Sequence, residues 1–172
     1  HQWQVTSDEV RARQTVAEQE ANLQSASRVM QAVANVSTVE EAAKGVLDTI
    51  RELFGWDYGS FWQYDSSINA LRFNSESGSV TPEFRRITET ATFAEGVGLS
   101  GRAWKTRDLV MVDDLAKVTD CVRAPAAQRA GVKTGICLPV IVENKVVGTL
   151  DFFSLQKLNL TAGRIEALRT VA

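Results

Sequence analysis

The sequence predicts an α+β protein in which helices cover both faces of a central antiparallel sheet. One observation is that two pairs of short aromatic or β-branched runs are each joined by turn residues, as in β-hairpins. The other is that segments with helical spacing of apolar residues precede, separate and follow these pairs. Each hairpin pairs two strands in antiparallel orientation, and the flanking helices can cover the two sides of the resulting sheet.

Length, charge and hydropathy limit the classes of function. A chain of 172 residues corresponds to one domain, and 44% hydrophobic residues are enough to build a core. The 19 basic and 21 acidic residues give a net charge of -2, which predicts neither a nucleic-acid nor a membrane partner. The longest apolar run, GICLPVIV, is far shorter than the roughly 18 to 20 residues of a membrane span. Two cysteines without a disulfide framework favour a cytoplasmic location.

The N-terminal segment, residues 1–36, is predicted to be a dimerisation and signalling helix. It contains no proline or glycine, and its apolar residues recur every seven positions at Val16, Leu23 and Met30. A helix of about 30 residues is about 45 Å long, more than a small domain can cover. We therefore expect it to pack on a second copy in a homodimer. An amphipathic helix folded back on its own core is the alternative.

The first half of the predicted domain, residues 37–158, begins with a helix and a hairpin. The segment from Ser37 to Gly55 carries an apolar face, and Gly55 ends the helix. The runs WDYGSFWQYD and ALRFNSE follow, separated by SSIN, which predicts two antiparallel strands. A further helix is predicted over TPEFRRITETATF, with Pro82 in its first turn.

The second half is predicted to complete the sheet. LVMVDDL is predicted to be an edge strand, and RAPAAQRAG a short helix that ends at Gly131. KTGICLPVIVENKVVGTLDFFSL predicts two strands that turn at Glu143 and Asn144. Residues 159–172 are predicted to begin a helix that leads to an output module, with Thr161 as its cap. This helix and the N-terminal helix are expected to form the dimer bundle together.

The glycines in GVGLSG have the spacing of a dinucleotide-binding loop at Gly96, Gly98 and Gly101. That loop must follow a buried strand and open a helix. Here a helix is predicted before it, and the following RAWKTRD is too short for a crossover helix. The pattern therefore indicates a turn that crosses the mouth of a pocket.

The residue content argues against catalysis. The single histidine is His1, so the fold offers no histidine base for a serine or cysteine nucleophile and no histidine ligand for haem or zinc. Asp113 and Asp114 are adjacent, and on a strand they point to opposite faces. We expect neither catalytic residues nor a metal site, and the chain is predicted to be non-enzymatic.

Four motifs carry a resemblance to a known family. They are GSFWQYD at 59–65, FAEGVGLSGRAWKTRDLVMVDDL at 93–115, RAPAAQRAGVKTGICLPVI at 123–141 and KVVGTLDFFS at 145–154. From Glu41 onward the chain resembles the GAF domains of bacterial signal-transduction proteins, in particular methyl-accepting chemotaxis-type receptors and sensor histidine kinases. The resemblance implies a cytoplasmic sensor that binds a small molecule and relays occupancy through its flanking helices to a C-terminal signalling domain.

The resemblance also places a ligand pocket between one sheet face and residues 82–131. No cofactor is specified by the sequence. Arg123 is the natural partner for a ligand carboxylate, although a contact with Asp120 or Asp113 is an alternative. Plain core packing is the alternative for the aromatic residues. The predicted ligand-binding residues are Trp62, Phe73, Phe93, Trp104, Asp113, Cys121 and Arg123.

Other functions remain open at this point. The domain could be a structural dimerisation element whose pocket is filled by its own side chains. Cys121 could serve a redox or bilin sensor, but Val122 stands where bilin-binding relatives typically have histidine. The residue signature of cyclic-nucleotide-binding relatives is not recognisable, although a purine could stack on Trp62 or Trp104.

Overall fold

The computed structural model describes residues 39–158 and 161–171. The predicted N-terminal helix, the heptad positions on it and its part of the predicted dimer bundle lie outside these residues. The elements, in chain order, are α1 (Val39–Phe54), β1 (Tyr58–Asp65), β2 (Ala70–Gly78), α2 (Pro82–Thr90), β3 (Thr92–Phe93), α3 (Gly98–Thr106), β4 (Val110–Val112), a 3-10 turn (Leu115–Lys117), α4 (Ala124–Ala130), β5 (Thr134–Val142), β6 (Lys145–Ser154) and α5 (Ala162–Val171).

The six strands form one sheet in the order β3-β2-β1-β6-β5-β4, and each pair of neighbours is antiparallel. Both predicted hairpins, β1–β2 and β5–β6, are confirmed. Glu143 and Asn144 form the second turn with φ of 50° and 66°, the left-handed conformation that tight hairpin turns require. The edge strand is confirmed as β4, although it covers only Val110–Val112.

Helices cover both sheet faces, which confirms the predicted α+β architecture. On one face, α1 and α5 share a core with Phe61, Leu150 and Phe152 of the sheet. On the other face, α2, α3 and α4 share a core with Trp62 and Phe153. Strand alternation explains the division, because neighbouring residues on β1 and β6 point to opposite sides of the sheet. Thr161 caps α5 as predicted: its Oγ1 accepts from the Arg164 N–H at 3.2 Å.

The helix predicted up to Phe93 is three residues too long. It ends at Thr90, and Ala91 is already extended, with φ of -72° and ψ of 150°. Thr92 and Phe93 then pair with Arg72 and Leu71 as the edge strand β3. This extended path buries the Phe93 ring completely in the core that α2, α3 and α4 share with the sheet.

The prediction that the glycine pattern follows a helix was also wrong. The glycines follow β3, and Gly98 and Gly101 lie within α3. The turn itself is confirmed: Gly96 and Gly98 have φ of 83° and 67°, and the Gly96 N–H donates to the Gly101 carbonyl at 2.7 Å. The Gly98 N–H donates to Asp120 at 3.1 Å, so a carboxylate of the chain itself occupies the start of α3.

No helix in the described part of the chain combines the length and apolar character needed to span a membrane.

Candidate functional site

A fully buried polar cluster lies between the sheet and the helices α2 to α4. It consists of Ser60, Trp62, Arg123 and Asp151, each 0% exposed, and is called here the Arg123 cluster. Ser60 pairs with Asp151 and Trp62 with Thr149 across β1 and β6, which places their side chains on the same sheet face. Arg123 immediately precedes α4 and comes down onto this face from the helical side.

Hydrogen bonds connect all four side chains of the Arg123 cluster. Arg123 Nη2 donates to Asp151 Oδ2 in a direct ion pair, and Ser60 Oγ donates to Asp151 Oδ1. The Trp62 indole N–H reaches Asp151 Oδ2 and Ser60 Oγ, both at 2.9 Å. Among the described residues, Arg123 Nε has no hydrogen-bond partner. The cluster therefore contains one buried donor that is left unsatisfied.

Four aromatic rings surround the guanidinium. The Arg123 Cζ atom lies 4.8 Å from the ring centroid of Trp62, 4.9 Å from Phe153, and 5.5 Å from both Phe84 and Phe93. A cation at these distances is attracted to the negative faces of aromatic rings. The rings and Asp151 together form a cage for one positive charge.

The electrostatics of the cage keep Arg123 charged. Burial is the largest influence and opposes the charged form of the guanidinium, but the charge and hydrogen bond of Asp151 together with its other neighbours outweigh this cost, so the pKa of Arg123 lies above its ordinary value. Cys121 and Tyr58 act in the same direction. The site therefore presents a permanent buried cation.

The structure brings together some of the predicted site residues and separates others. Trp62, Phe93 and Arg123 meet in the cage, and Phe73 packs against Trp62 with ring centroids 5.7 Å apart. Cys121 is buried in the same core. Trp104 packs at the edge of this core against Tyr64, with centroids 5.5 Å apart. Asp113 is exposed after β4.

The carboxylate partner of Arg123 differs from the two considered from sequence. Asp120 forms an ion pair with Arg102 at 2.7 Å and accepts from the Gly98 N–H at the start of α3. Asp113 is exposed, so the predicted pairing of Arg123 with either aspartate was wrong. The partner, Asp151, was missed. A signal for it exists in the sequence: Asp151 is a lone charge within the apolar strand TLDFF. A charge in a buried strand needs a buried partner of opposite sign.

Sequence reasoning also missed two rings of the cage, Phe84 and Phe153. Phe84 separates the cage from a surface cavity of about 350 Å³, which is also lined by Tyr58, Glu76 and Arg85. The Tyr58 hydroxyl donates to Glu76 at 3.0 Å, and its ring contacts that of Phe84 edge-on with centroids 5.3 Å apart. One layer of aromatic side chains thus lies between this cavity and Arg123.

Burial of two titratable groups predicts a loss of stability at alkaline pH. Burial raises the pKa of Tyr58 far above its ordinary 10.0, and that of Cys137 far above 9.0. The contribution of each group to the free energy of unfolding is complete when the pH is below its ordinary pKa. It declines as the pH rises above that pKa, because the unfolded chain then releases a proton that the folded chain retains. The expected slope is about 1.4 kcal/mol per pH unit for each group.

The measurement is the free energy of unfolding as a function of pH, from neutral to strongly alkaline. Cys137→Ala should remove the decline in the free energy of unfolding that begins near pH 9.0, and Tyr58→Phe should remove the decline that begins near pH 10.0. Identical pH profiles for wild type and both variants would contradict this assignment.

Within the described residues, no group of three or more His, Cys, Asp or Glu side chains could hold a metal ion. The donors at the Arg123 cluster are a guanidinium, an indole N–H and a hydroxyl, with one carboxylate between them. These groups suit a small organic anion better than a metal.

Comparison with known families identifies the fold. A GAF domain family model matches residues 36–172, which is most of the chain. The chain belongs to the GAF domain family. The match extends past the domain end predicted at residue 158 and includes α5, which packs on the same core as α1. No curated protein matches this GAF domain significantly.

Solved structures resemble this GAF domain along most of its length. The GAF domain of a phosphoenolpyruvate-protein phosphotransferase from Coxiella burnetii has a TM-score of 0.75 at 16% identity, covering 89% of each chain. Free methionine-R-sulfoxide reductase from Neisseria meningitidis, in complex with its substrate, has a TM-score of 0.71 at 18% identity, covering 87% of this chain and 83% of that one. The GAF domain of A. Aeolicus nlh2 in an inactive state has a TM-score of 0.67 at 15% identity, covering 90% of each.

These structures include an enzyme as well as GAF domains of other proteins, and all of them are less than 20% identical to this chain. At this identity the likeness establishes the fold, and GAF folds generally serve sensory or regulatory roles. The chemistry has to be argued from the residues of the Arg123 cluster.

Proposed function

We propose that this GAF domain is a non-enzymatic, cytoplasmic sensory module whose receptor group is Arg123, and that its ligand is a small carboxylate. The observation that carries the proposal is the state of the Arg123 side chain. It is a fully buried cation with an unsatisfied Nε, enclosed by four aromatic rings. A ligand carboxylate can accept from this free donor and gain the attraction of the cation.

Stability alone does not account for such a cluster. Buried ion pairs contribute little net stability, because the desolvation of both charges offsets their attraction, and apolar replacements are often as stable. An unsatisfied buried donor adds a further cost of about 1–3 kcal/mol. The presence of a buried ion pair with an unsatisfied donor in a mainly apolar core supports a binding role.

The size of the space favours a small ligand. The cage is filled by its own side chains, so a ligand has to displace a ring, and Phe84 is the ring that borders the cavity of about 350 Å³. Displacement of Phe84 would join this cavity to the guanidinium. The ligand would then have its carboxylate on Arg123 and its remainder against aromatic walls.

The strand β6 offers a route from the site to the output. Asp151 points into the Arg123 cluster, whereas its neighbours Leu150 and Phe152 pack in the core that contains α1 and α5. A shift of Asp151 on ligand binding would move these two side chains against the helices. We propose that a homodimer formed through residues 1–36 and the C-terminal helix carries this change to a C-terminal signalling module, such as a chemoreceptor or histidine kinase domain. The ligand biases the two arrangements through its differential affinity for them.

The absence of catalysis is part of the proposal and can be tested directly. Free methionine-R-sulfoxide reductase shares this fold. In the present chain both cysteines are buried, and burial raises the pKa of Cys137, which opposes formation of the reactive thiolate. Incubation with methionine R-sulfoxide and dithiothreitol is expected to yield no methionine above a protein-free blank. Turnover that is lost in Cys121→Ser would contradict this part of the proposal.

A thermal-shift series tests ligand binding. The Tm is measured with acetate, pyruvate, succinate or glutamate, each at about 10 mM. A ligand that binds the folded protein raises the Tm when its concentration is well above its Kd. At least one is expected to raise the Tm of the wild type and leave that of the double variant R123M/D151L unchanged. This variant replaces the ion pair with apolar side chains of similar length. Equal shifts in both proteins would contradict binding at Arg123.

The second candidate is a structural dimerisation domain without a ligand. It is favoured by the complete burial of Trp62, Phe93 and Arg123, which fill the space between the sheet and helices. This candidate predicts no carboxylate-dependent rise in Tm for the wild type.

A further inference from the structure

A second group of cations lies outside the Arg123 cluster, where the end of α3 meets the tip of the β5–β6 hairpin. In the described part of the chain, most exposed arginines contact a carboxylate, such as Arg72 with Asp65 at 3.0 Å and Arg129 with Glu83. Lys105, Arg107 and Lys145 line one cavity of about 320 Å³, and none of them forms an ion pair with a described residue. We propose that this cavity binds a small aromatic phosphate, such as a nucleoside phosphate.

The aromatic component is the pair Trp104 and Tyr64, which line the same cavity. Their rings are in edge contact, with centroids 5.5 Å apart and planes at 66°. The Tyr64 hydroxyl also donates to Asn69 Oδ1 at 3.0 Å, which holds its ring in place. Both side chains are partly exposed, so a planar ring can stack on them at the edge of the core.

The backbone around the cavity holds the cations together. Arg107 ends α3 in the left-handed conformation with φ of 58°, which is uncommon for a side chain of this size. Its Nη2 donates to the Asn144 carbonyl at 3.0 Å and to Asn144 Oδ1 at 2.9 Å. The end of α3 is thereby fixed to the hairpin tip, and Lys105 and Lys145 come to border one cavity.

The helix dipole explains part of this arrangement. The helix dipole stabilises cations at the C-terminal end of a helix, and Lys105 and Arg107 lie at the C-terminal end of α3. Lys145 belongs to β6, so the dipole of α3 does not explain its position, and it does not explain the aromatic pair. Glu95 is the carboxylate that borders the cavity, so three cations face one anion.

The ligand class follows from these groups. Three cations without carboxylate partners suit a phosphate, and the partly exposed rings suit a planar aromatic group. The chain as a whole has a net charge of -2, which opposes unspecific binding of polyanions, so the attraction is local to this cavity. This site is independent of the carboxylate site proposed at Arg123.

Isothermal titration with magnesium-free ATP tests the proposal, with adenosine and tripolyphosphate as partial ligands. We expect saturable binding with a Kd below about 1 mM, and binding at least about tenfold weaker for either part alone. The variant K105A/K145A should bind ATP at least about tenfold more weakly, since two charge-assisted contacts are lost. Trp104→Leu should weaken the binding of ATP and leave the affinity for tripolyphosphate unchanged.

The matched control is K133A/K157A, which removes two exposed lysines from outside this cavity and changes the net charge equally. It is expected to change the affinity for ATP less than about twofold. Equal weakening by both lysine pairs, or no saturable binding by the wild type, would overturn the proposal. The variant R123M/D151L should bind ATP like the wild type, which separates this site from the Arg123 cluster.

Discussion

Replacing Arg123 alone by methionine is expected to lower the free energy of unfolding by about 3–5 kcal/mol. The substitution leaves the Asp151 carboxylate fully buried without its cation. The remaining hydrogen bonds from Ser60 and Trp62 compensate only in part. Urea unfolding at neutral pH, followed by circular dichroism, gives the difference between variant and wild type.

The second substitution, Asp151→Leu in the same chain, is expected to restore most of this stability. An apolar pair in place of a buried ion pair is often neutral or stabilising. The double variant R123M/D151L should therefore lie within about 1 kcal/mol of the wild type, or above it. Arg129→Met, which removes an exposed contact with Glu83, is the surface control and should have little effect. A double variant as unstable as R123M would show that the cluster is required for stability.

Removal of the Trp62 side chain is the second large effect. Trp62→Ala is expected to lower the free energy of unfolding by about 3–5 kcal/mol, because it leaves a cavity in a close-packed core. The indole is completely buried, contacts Phe93 with centroids 4.9 Å apart, and donates to Asp151. The same urea series measures the change.

Two comparisons separate the contributions of Trp62. Trp62→Phe keeps an aromatic ring but removes the N–H donor to Asp151, and we expect a loss of about 1–3 kcal/mol. Trp104→Ala removes the same side chain from a partly exposed position and should destabilise the domain much less. If Trp104→Ala destabilised the protein as much as Trp62→Ala, the assignment of Trp62 to the centre of the core would be wrong.

The local sequence was sufficient to predict most of the fold. Some signals act over only a few residues, such as Asn144 in a two-residue turn and glycine at the ends of α1 and α4. The helices and strands that end at these residues were predicted correctly. β3 was missed because a strand of two residues, Thr92 and Phe93, has no periodicity to detect. Its position depends on pairing with β2, which is a tertiary contact.

The centre of the site was predicted only in part. Trp62, Phe93 and Arg123 were predicted and meet in the structure. Asp151 lies 28 residues after Arg123, and their contact depends on the pairing of β1, β5 and β6. Such pairing sets which strand residues are opposite each other and is not visible in local spacing. The exposed position of Asp113 and the peripheral one of Trp104 were not visible either.

The most direct test of the central claim, that Arg123 is the receptor for a small carboxylate, is native mass spectrometry of the freshly purified domain beside R123M/D151L. If Arg123 binds a carboxylate, each wild-type chain carries an additional mass that disappears on denaturation and is missing from the double variant, or acquires one, which the variant does not, after addition of the carboxylate that raises its Tm. The same adduct on both proteins, or a wild type that binds none of the carboxylates tested, would contradict carboxylate binding at Arg123 and favour the structural dimerisation domain.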